Sequence, residues 1–418
     1  MLKEIECSKE IFNKFFKDDL YGVFDDDKNI ILSRGAWEDN YISFPKIFSF
    51  CINYTLKNHW TGYSDSLGHK NTLKALKRLV NVQPLSNKYK EDNVALTLGN
   101  VATIGFIFRQ LKTLIPGTGI ITLKPYYPPI LKSINFYFKD IFFLSSMQTE
   151  DDLILDIKKT IETSNAKILF LSNSIGVEGR IFSTNFWKNI LKIIDENKIY
   201  LVIDEGSWFE PLNYGMDINN ERVIRTVSLS KKYGVPGCKL GFMISSNKFI
   251  HHFYDCASTN YGGPLSVFFL LCEFIYQFEF MHYSRVSLEK GLESLYRNYG
   301  IPLTKLEYLY KDFENTLEKN RRKLSNNRKT LKKWAEKNSS IIDQVYDFGG
   351  INVFIKLKSN ARVYPIFIKA ITEEKLSIMP SSCLGDENDS MFRITLLEKS
   401  NNLKIGLDKL TKVIKHYD

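Results

Sequence analysis

The stretch SLSKKYGVPGCKLG, Ser228 to Gly241, sets two adjacent lysines between two serines and three glycines. Paired lysines in a solvated surface loop are the simpler reading, but other polar residues stand at comparable places along the chain. VALTL runs into Gly99-Asn100, IITLK into Pro125-Tyr126-Tyr127-Pro128, ILFLS into Asn173, YLVI into Asp204 and VSLS into Lys231. Singly, an Asn or Asp at such a place is a helix cap or a turn residue. As a set, a carboxylate, a flat aromatic ring, an anion cradle and an amine answer to a pyridinium nitrogen, a ring face, a phosphate and an aldehyde. Those are the parts of pyridoxal phosphate, whose carbonyl forms a Schiff base with lysine and whose protonated ring nitrogen makes it an electron sink.

Such residues need a frame that delivers them to one place. Over the middle of the chain short apolar runs alternate with helical stretches. VALTLGN precedes VATIGFIFRQLKTL, GIITLKP is stopped by PYYPP, AKILFLSN precedes FWKNILKIIDEN, and IYLVIDEG, VIRTVSLS and LGFMISS follow. Nearly continuous apolar strands alternating with helices mark a parallel sheet covered on both faces, so the fold class is α/β. Ligands of such sheets gather at the carboxyl ends of the strands, where the residues above stand. Gly99-Asn100-Val101, opening a helix, offers backbone N–H groups and a positive dipole end to an anion. Beyond Pro264 the pattern becomes helical, with a long amphipathic stretch from Lys305 to Lys337. GGINVFIKL, KLSIMPSS and MFRITLL then read as strands of a smaller lobe. The expected division is a large cofactor-binding domain over 50–285 and a small α/β domain built from 1–49 and 286–418.

Composition narrows the field. A chain of 418 residues with 44% hydrophobic and 25% charged positions buries a full core and forms more than one lobe. No segment approaches the roughly 20 apolar residues that span a bilayer, and the expected setting is cytoplasmic. Cys7, Cys51, Cys238, Cys256, Cys272 and Cys383 are scattered without C-x-x-C spacing, so neither a disulfide framework nor a metal site is expected. The formal charge of +10 is spread over outer helix faces, as in KNTLKALKRL, rather than gathered into a nucleic-acid stripe.

SLSKKYGVPGCKLG resembles the pyridoxal-phosphate attachment signature of the class I/II aminotransferases, S-x-S-K-x-x-G-x-x-G-x-[RK]-x-G, with every fixed position present. The resemblance implies fold type I, with a large mostly parallel sheet between helices and a smaller α/β domain. It makes Lys231, rather than Lys232, the Schiff-base lysine, sets Ser228 and Ser230 at the phosphate-side turn, and puts Lys239 where an arginine usually binds phosphate. Lysine keeps the charge there but not the two-pronged fork. It extends along the chain in the family's order. Tyr63-Ser-Asp-Ser-Leu-Gly68 resembles the segment whose tyrosine reaches the neighbouring subunit's phosphate, implying a homodimer. Gly99 and Asn100 match the phosphate loop, Tyr127 the ring-stacking aromatic, Asp204 the partner of the pyridine nitrogen, and Arg393 the arginine that pairs with the substrate α-carboxylate.

Two departures stand beside these matches. In SNSIGVEGRIFS, which resembles the family's N-P-x-N-P-T-G loop, Asn173 and Gly179 keep their places but Gly176 replaces the second asparagine. Ser207 replaces a tyrosine three residues after Asp204. Both replaced residues usually bond the cofactor's phenolic oxygen, so the proton affinity of the nearby imine nitrogen should differ. Ser207, Asn173 or a water is the candidate substitute. The expected reaction is transamination of an amino acid with a 2-oxo acid, Lys231 serving as general base at the α-carbon. Elimination, replacement, cyclisation or decarboxylation on the same fold is the alternative, and a cofactor-binding protein without turnover is a third reading. The sequence names no particular amino acid.

Overall fold

The computed structural model describes residues 29–38, 40–82, 89–173, 180–206, 220–359, 362–386 and 388–416. Two compact units divide the chain, one taking the residues up to Tyr41, Thr118–Phe182 and Arg322 onward, the other Ile42–Gly117 and Ser183–Arg321. Both are mixed α/β.

In the second unit the strands run in the order Val94–Thr97, Gly241–Ile244, Val223–Ser228, Tyr200–Glu205. Val223–Ser228 is parallel to Tyr200–Glu205, while Gly241–Ile244 runs against both of its neighbours. Every residue of Val223–Ser228 is buried. That includes Arg225, whose Nε and Nη2 donate to the two oxygens of Glu205 at 2.8 and 3.1 Å. A charge at so dry a position persists because each prong of its fork meets an oxygen. The helix Phe269–Ser284 is buried almost all round and packs against Lys70–Val80. Its Leu271, Phe274, Ile275 and Phe278 are sealed from solvent, each contributing about 1.5–3 kcal/mol of burial.

In the first unit Gly119–Lys124 lies between Ala166–Ser172 and Ile141–Ser145, all parallel. A separate antiparallel sheet has the order Met379–Pro380, Met391–Thr395, Asn352–Leu357, Ile342–Tyr346. Ile30–Ile31 adds a short parallel pair to Leu376–Ser377.

The expected strands from VALTLGN to LGFMISS and the three of the smaller lobe all form. Two departures have physical reasons. Gly241–Ile244 is reversed: the segment 229–240 that joins it to the strand before holds a hydrogen-bonded turn and a short 3-10 segment at Pro236–Cys238 but no crossover helix to carry the chain back for a parallel strand. Ile141–Ser145, whose run IFFLS was not singled out, is an edge strand with one end exposed. Among the described residues no helix is long and apolar enough to cross a membrane, and Cys51, Cys238, Cys256, Cys272 and Cys383 are free thiols.

Candidate active site

Strand register assembles the cluster in the second unit. Gly241 pairs with Thr97 on one side and Ser228 on the other, so the ends of three strands meet. Gly99, two residues past Thr97, therefore comes beside Lys239, two residues before Gly241; a Cβ at Gly99 would lie 3.8 Å from Lys239 Cα. Gly99 has φ +72°, which a glycine adopts without strain, and precedes the helix Asn100–Leu114. No side chain caps that helix, so its first N–H groups, beyond those the fold satisfies, are available to an anion.

The turn after Val223–Ser228 is closely tied. Ser228 Oγ donates to Ser230 Oγ at 2.8 Å and accepts from Ser230 N at 3.1 Å. Tyr233 N donates to Leu229 O, and Val235 N to Ser230 O. Lys231 stands half-buried at the head of this turn. Lys232 is buried, with its Nζ 2.5 Å from a Glu279 oxygen. The two lysines, alike in sequence, thus have different surroundings. Lys239 is exposed, with φ +54°.

One strand over, Asp204 pairs with Thr226, two residues before Ser228. It is buried, and Asn100 Nδ2 donates to its Oδ1 at 2.5 Å while Gly206 N donates to the same oxygen at 3.2 Å. Burial pushes the Asp204 carboxyl up to about 6; the hydrogen bonds from Asn100 and Gly206 pull against this, and neighbouring Glu205 adds to it. Both of its hydrogen bonds from described residues go to Oδ1. Asn100 Nδ2 also donates to Thr226 O at 3.2 Å, and Asn100 Oδ1 is buried without a hydrogen-bond partner. Asn100, matched in the sequence to a phosphate loop, turns its side chain to the carboxylate instead. Tyr63, also in this unit, is fully exposed.

Other residues singled out in the sequence lie in the first unit. Arg393, on Met391–Thr395, is buried with Nη2 donating to Ser33 O at 2.7 Å, and its Nε has no hydrogen-bond partner. Burial lowers its guanidinium to about 10, against the pull of Tyr127 and Cys383, leaving it charged at neutral pH. Of the two adjacent tyrosines, Tyr126 is buried against Gly385, where a Cβ would come within 2.5 Å of the ring, whereas Tyr127 is half-exposed at the start of the helix Pro128–Tyr137. Asn173 is fully buried, its Oδ1 accepting from Phe182 N at 3.1 Å. Ser207, Gly176 and Gly179 lie outside the described residues. Sequence reasoning missed the Asn100–Asp204 bond and Glu279; a glutamate inside the apolar run FLLCEFIYQFEF was the one signal that a buried cation needed a partner.

A seated carboxylate with an oxygen in reserve, an uncapped helix start and a half-buried lysine, all in the second unit, fit a phosphorylated pyridine aldehyde. This is the class that the fold defines, and the comparisons agree. The family model for aminotransferase class I and II matches residues 51–279, and the chain belongs to that family. It is an enzyme, a pyridoxal-phosphate-dependent aminotransferase. Among curated proteins it is similar to the (5-formylfuran-3-yl)methyl phosphate transaminase of Methanocaldococcus jannaschii, 21% identical over 367 residues, covering 86% of this chain and 85% of that one. Among solved structures it is similar to an aromatic aminotransferase of Pyrococcus horikoshii, with TM-score 0.73 and 14% identity over 93% of this chain and 96% of that one. Aspartate aminotransferase of Thermus thermophilus with maleate gives TM-score 0.69 and 16% identity, covering 98% and 96%. Both structures share the fold.

Proposed function

We propose that this enzyme transfers an amino group between an amino acid and a 2-oxo acid with Lys231 as its Schiff-base lysine. The observation that carries the assignment is the register that joins the Lys231–Lys239 turn, the Gly99 helix start and Asp204 within one unit. Gly99, Ser228, Ser230 and Lys239 would hold the phosphate, Tyr127 and Asn173 the ring, and Asp204 Oδ2 the ring N–H. When bound, pyridoxal phosphate supplies an aldehyde for an amine and a cationic ring that stabilises negative charge at the substrate α-carbon.

The chain's own groups do the rest. Arg393, whose Nε–H is unpartnered, holds the α-carboxylate and orients the α-hydrogen. Asp204, kept in place by Asn100, favours a protonated ring nitrogen. Lys231 Nζ takes the proton from the α-carbon. Tyr63, fully exposed in the single chain, would reach the phosphate of a second copy, making the working unit a homodimer. The large domain over 50–285, the small one from 1–49 and 286–418, and a cytoplasmic setting belong to the same reading.

The absorbance of the purified holoenzyme beside Lys231→Ala tests it. A visible band is expected in the wild type that the variant lacks, that bleaches with an amino acid, and that borohydride abolishes while leaving the cofactor covalently attached to the chain. Bleaching without any 2-oxo acid acceptor, leaving the aminated cofactor, marks transamination; release of ammonia instead marks elimination. Covalent retention of the cofactor after borohydride in Lys231→Ala would refute the lysine assignment.

A further inference from the structure

Glu279 stands behind the lysine pair on the helix Phe269–Ser284. Its carboxylate lies 2.5 Å from Lys232 Nζ and accepts from the Tyr233 hydroxyl, so two consecutive residues of the turn are tied to one group. Tyr283, four residues on and hence on the same helix face, receives a further hydrogen bond from Lys232 Nζ at 3.3 Å. The rings of Tyr233 and Tyr283 flank the ammonium with centroids at 5.8 and 5.6 Å. Lys232, Tyr233 and Glu279 are all buried.

We propose that Glu279 is a positioning residue that decides which of the two adjacent lysines serves as the Schiff-base amine, by sequestering Lys232 and anchoring the turn beneath Lys231. The inference rests on the reading of Lys231 given above. An amine condenses with an aldehyde, forming a C=N bond and releasing water, only when it is neutral and within reach. Lys232 is denied both, its charge being held by a carboxylate in a dry pocket. Removing that carboxylate takes away the charge that faces the buried ammonium at 2.5 Å, a loss relieved by giving up the proton or by moving the side chain out. Either change makes Lys232 a competitor.

The test maps the attachment site rather than the rate. Holoenzyme is treated with borohydride, which adds hydride to the C=N bond and makes the link permanent, then digested, and the labelled lysine is identified by mass spectrometry. Wild type is expected to carry label on Lys231 alone; label absent from Lys231 there would defeat the lysine assignment itself, whatever the Glu279 variants show. With Lys231 labelled in the wild type, Glu279→Gln is expected to divide the label between Lys231 and Lys232. Lys231→Ala/Glu279→Gln is expected to carry it on Lys232, where Lys231→Ala alone carries none. Glu279→Leu, which also removes the charge, reads the same way if the glutamine variant does not fold. Label confined to Lys231 in both single Glu279 variants, with none in the double variant, would overturn the proposal; a purely structural Glu279 predicts that pattern.

Discussion

Asn100 Nδ2 lies 2.5 Å from Asp204 Oδ1, joining the first residue of a helix to the end of a strand 104 residues later. The same asparagine offers its backbone to the phosphate end of the proposed cofactor site and its side chain to the ring-nitrogen end. Movement of that helix start would therefore be felt at the carboxylate.

The carboxylate costs the empty fold stability. Asp204 has a folded value of about 6, above the ordinary value of about 3.9. The folded state binds the extra proton between those values, so the stability of the cofactor-free protein falls as pH rises from about 4 through 6. Asp204→Asn removes that loss. At pH 7–8 the cofactor-free variant should be more stable than wild type by up to about 3 kcal/mol, with the difference vanishing below about pH 4. Urea unfolding at several pH values measures this, and a difference that does not change with pH would contradict it.

Asn100→Ala removes a hydrogen bond to a charged group, worth about 1.5–3 kcal/mol. Cofactor affinity should fall by about 10- to 100-fold, read by equilibrium dialysis, while the fold persists. Retained affinity would mean that Asp204 keeps its place without Asn100.

Arg393→Lys keeps a charge but loses the fork and the bond to Ser33 O. A fall of about 100-fold in kcat/KM, expressed mainly in KM, is expected with the cofactor's absorbance unchanged. An equal loss in kcat at constant KM would place the arginine elsewhere in the reaction.

Two glycines of one signature should behave differently. A Cβ at Gly241 would lie 2.6 Å from Val227 O and 3.1 Å from Gly99 Cα, both backbone, so Gly241→Ala should cost about 2–4 kcal/mol and loosen the phosphate cradle. At Gly237 a Cβ would meet nothing within 4 Å, and Gly237→Ala should change stability by less than about 0.5 kcal/mol. Thermal unfolding of the two variants side by side decides it.

Much of the site was legible because its residues stand at the ends of apolar runs, and a run with its stop is a local pattern. Asp204 after YLVI, Lys231 after VSLS and Gly99 after VALTL were found that way. The proposed division of labour between Lys231 and Lys232 rests in the sequence only on the spacing of the surrounding serines and glycines, since two neighbouring lysines have the same chemistry. Asn100 was assigned by its backbone neighbourhood, and nothing local could show that its side chain would be captured by Asp204.

The sequence by itself determined the α/β alternation, the strand-end chemistry and the attachment signature, because each is written in the types and spacing of near neighbours. Only the tertiary structure decided that Gly241–Ile244 runs backwards, that Asn100 serves Asp204, and that Glu279 holds Lys232. Those are choices of partner between distant segments. Strand register and burial make them, because an isolated charge or amide carries no mark of the group that will satisfy it once water is gone.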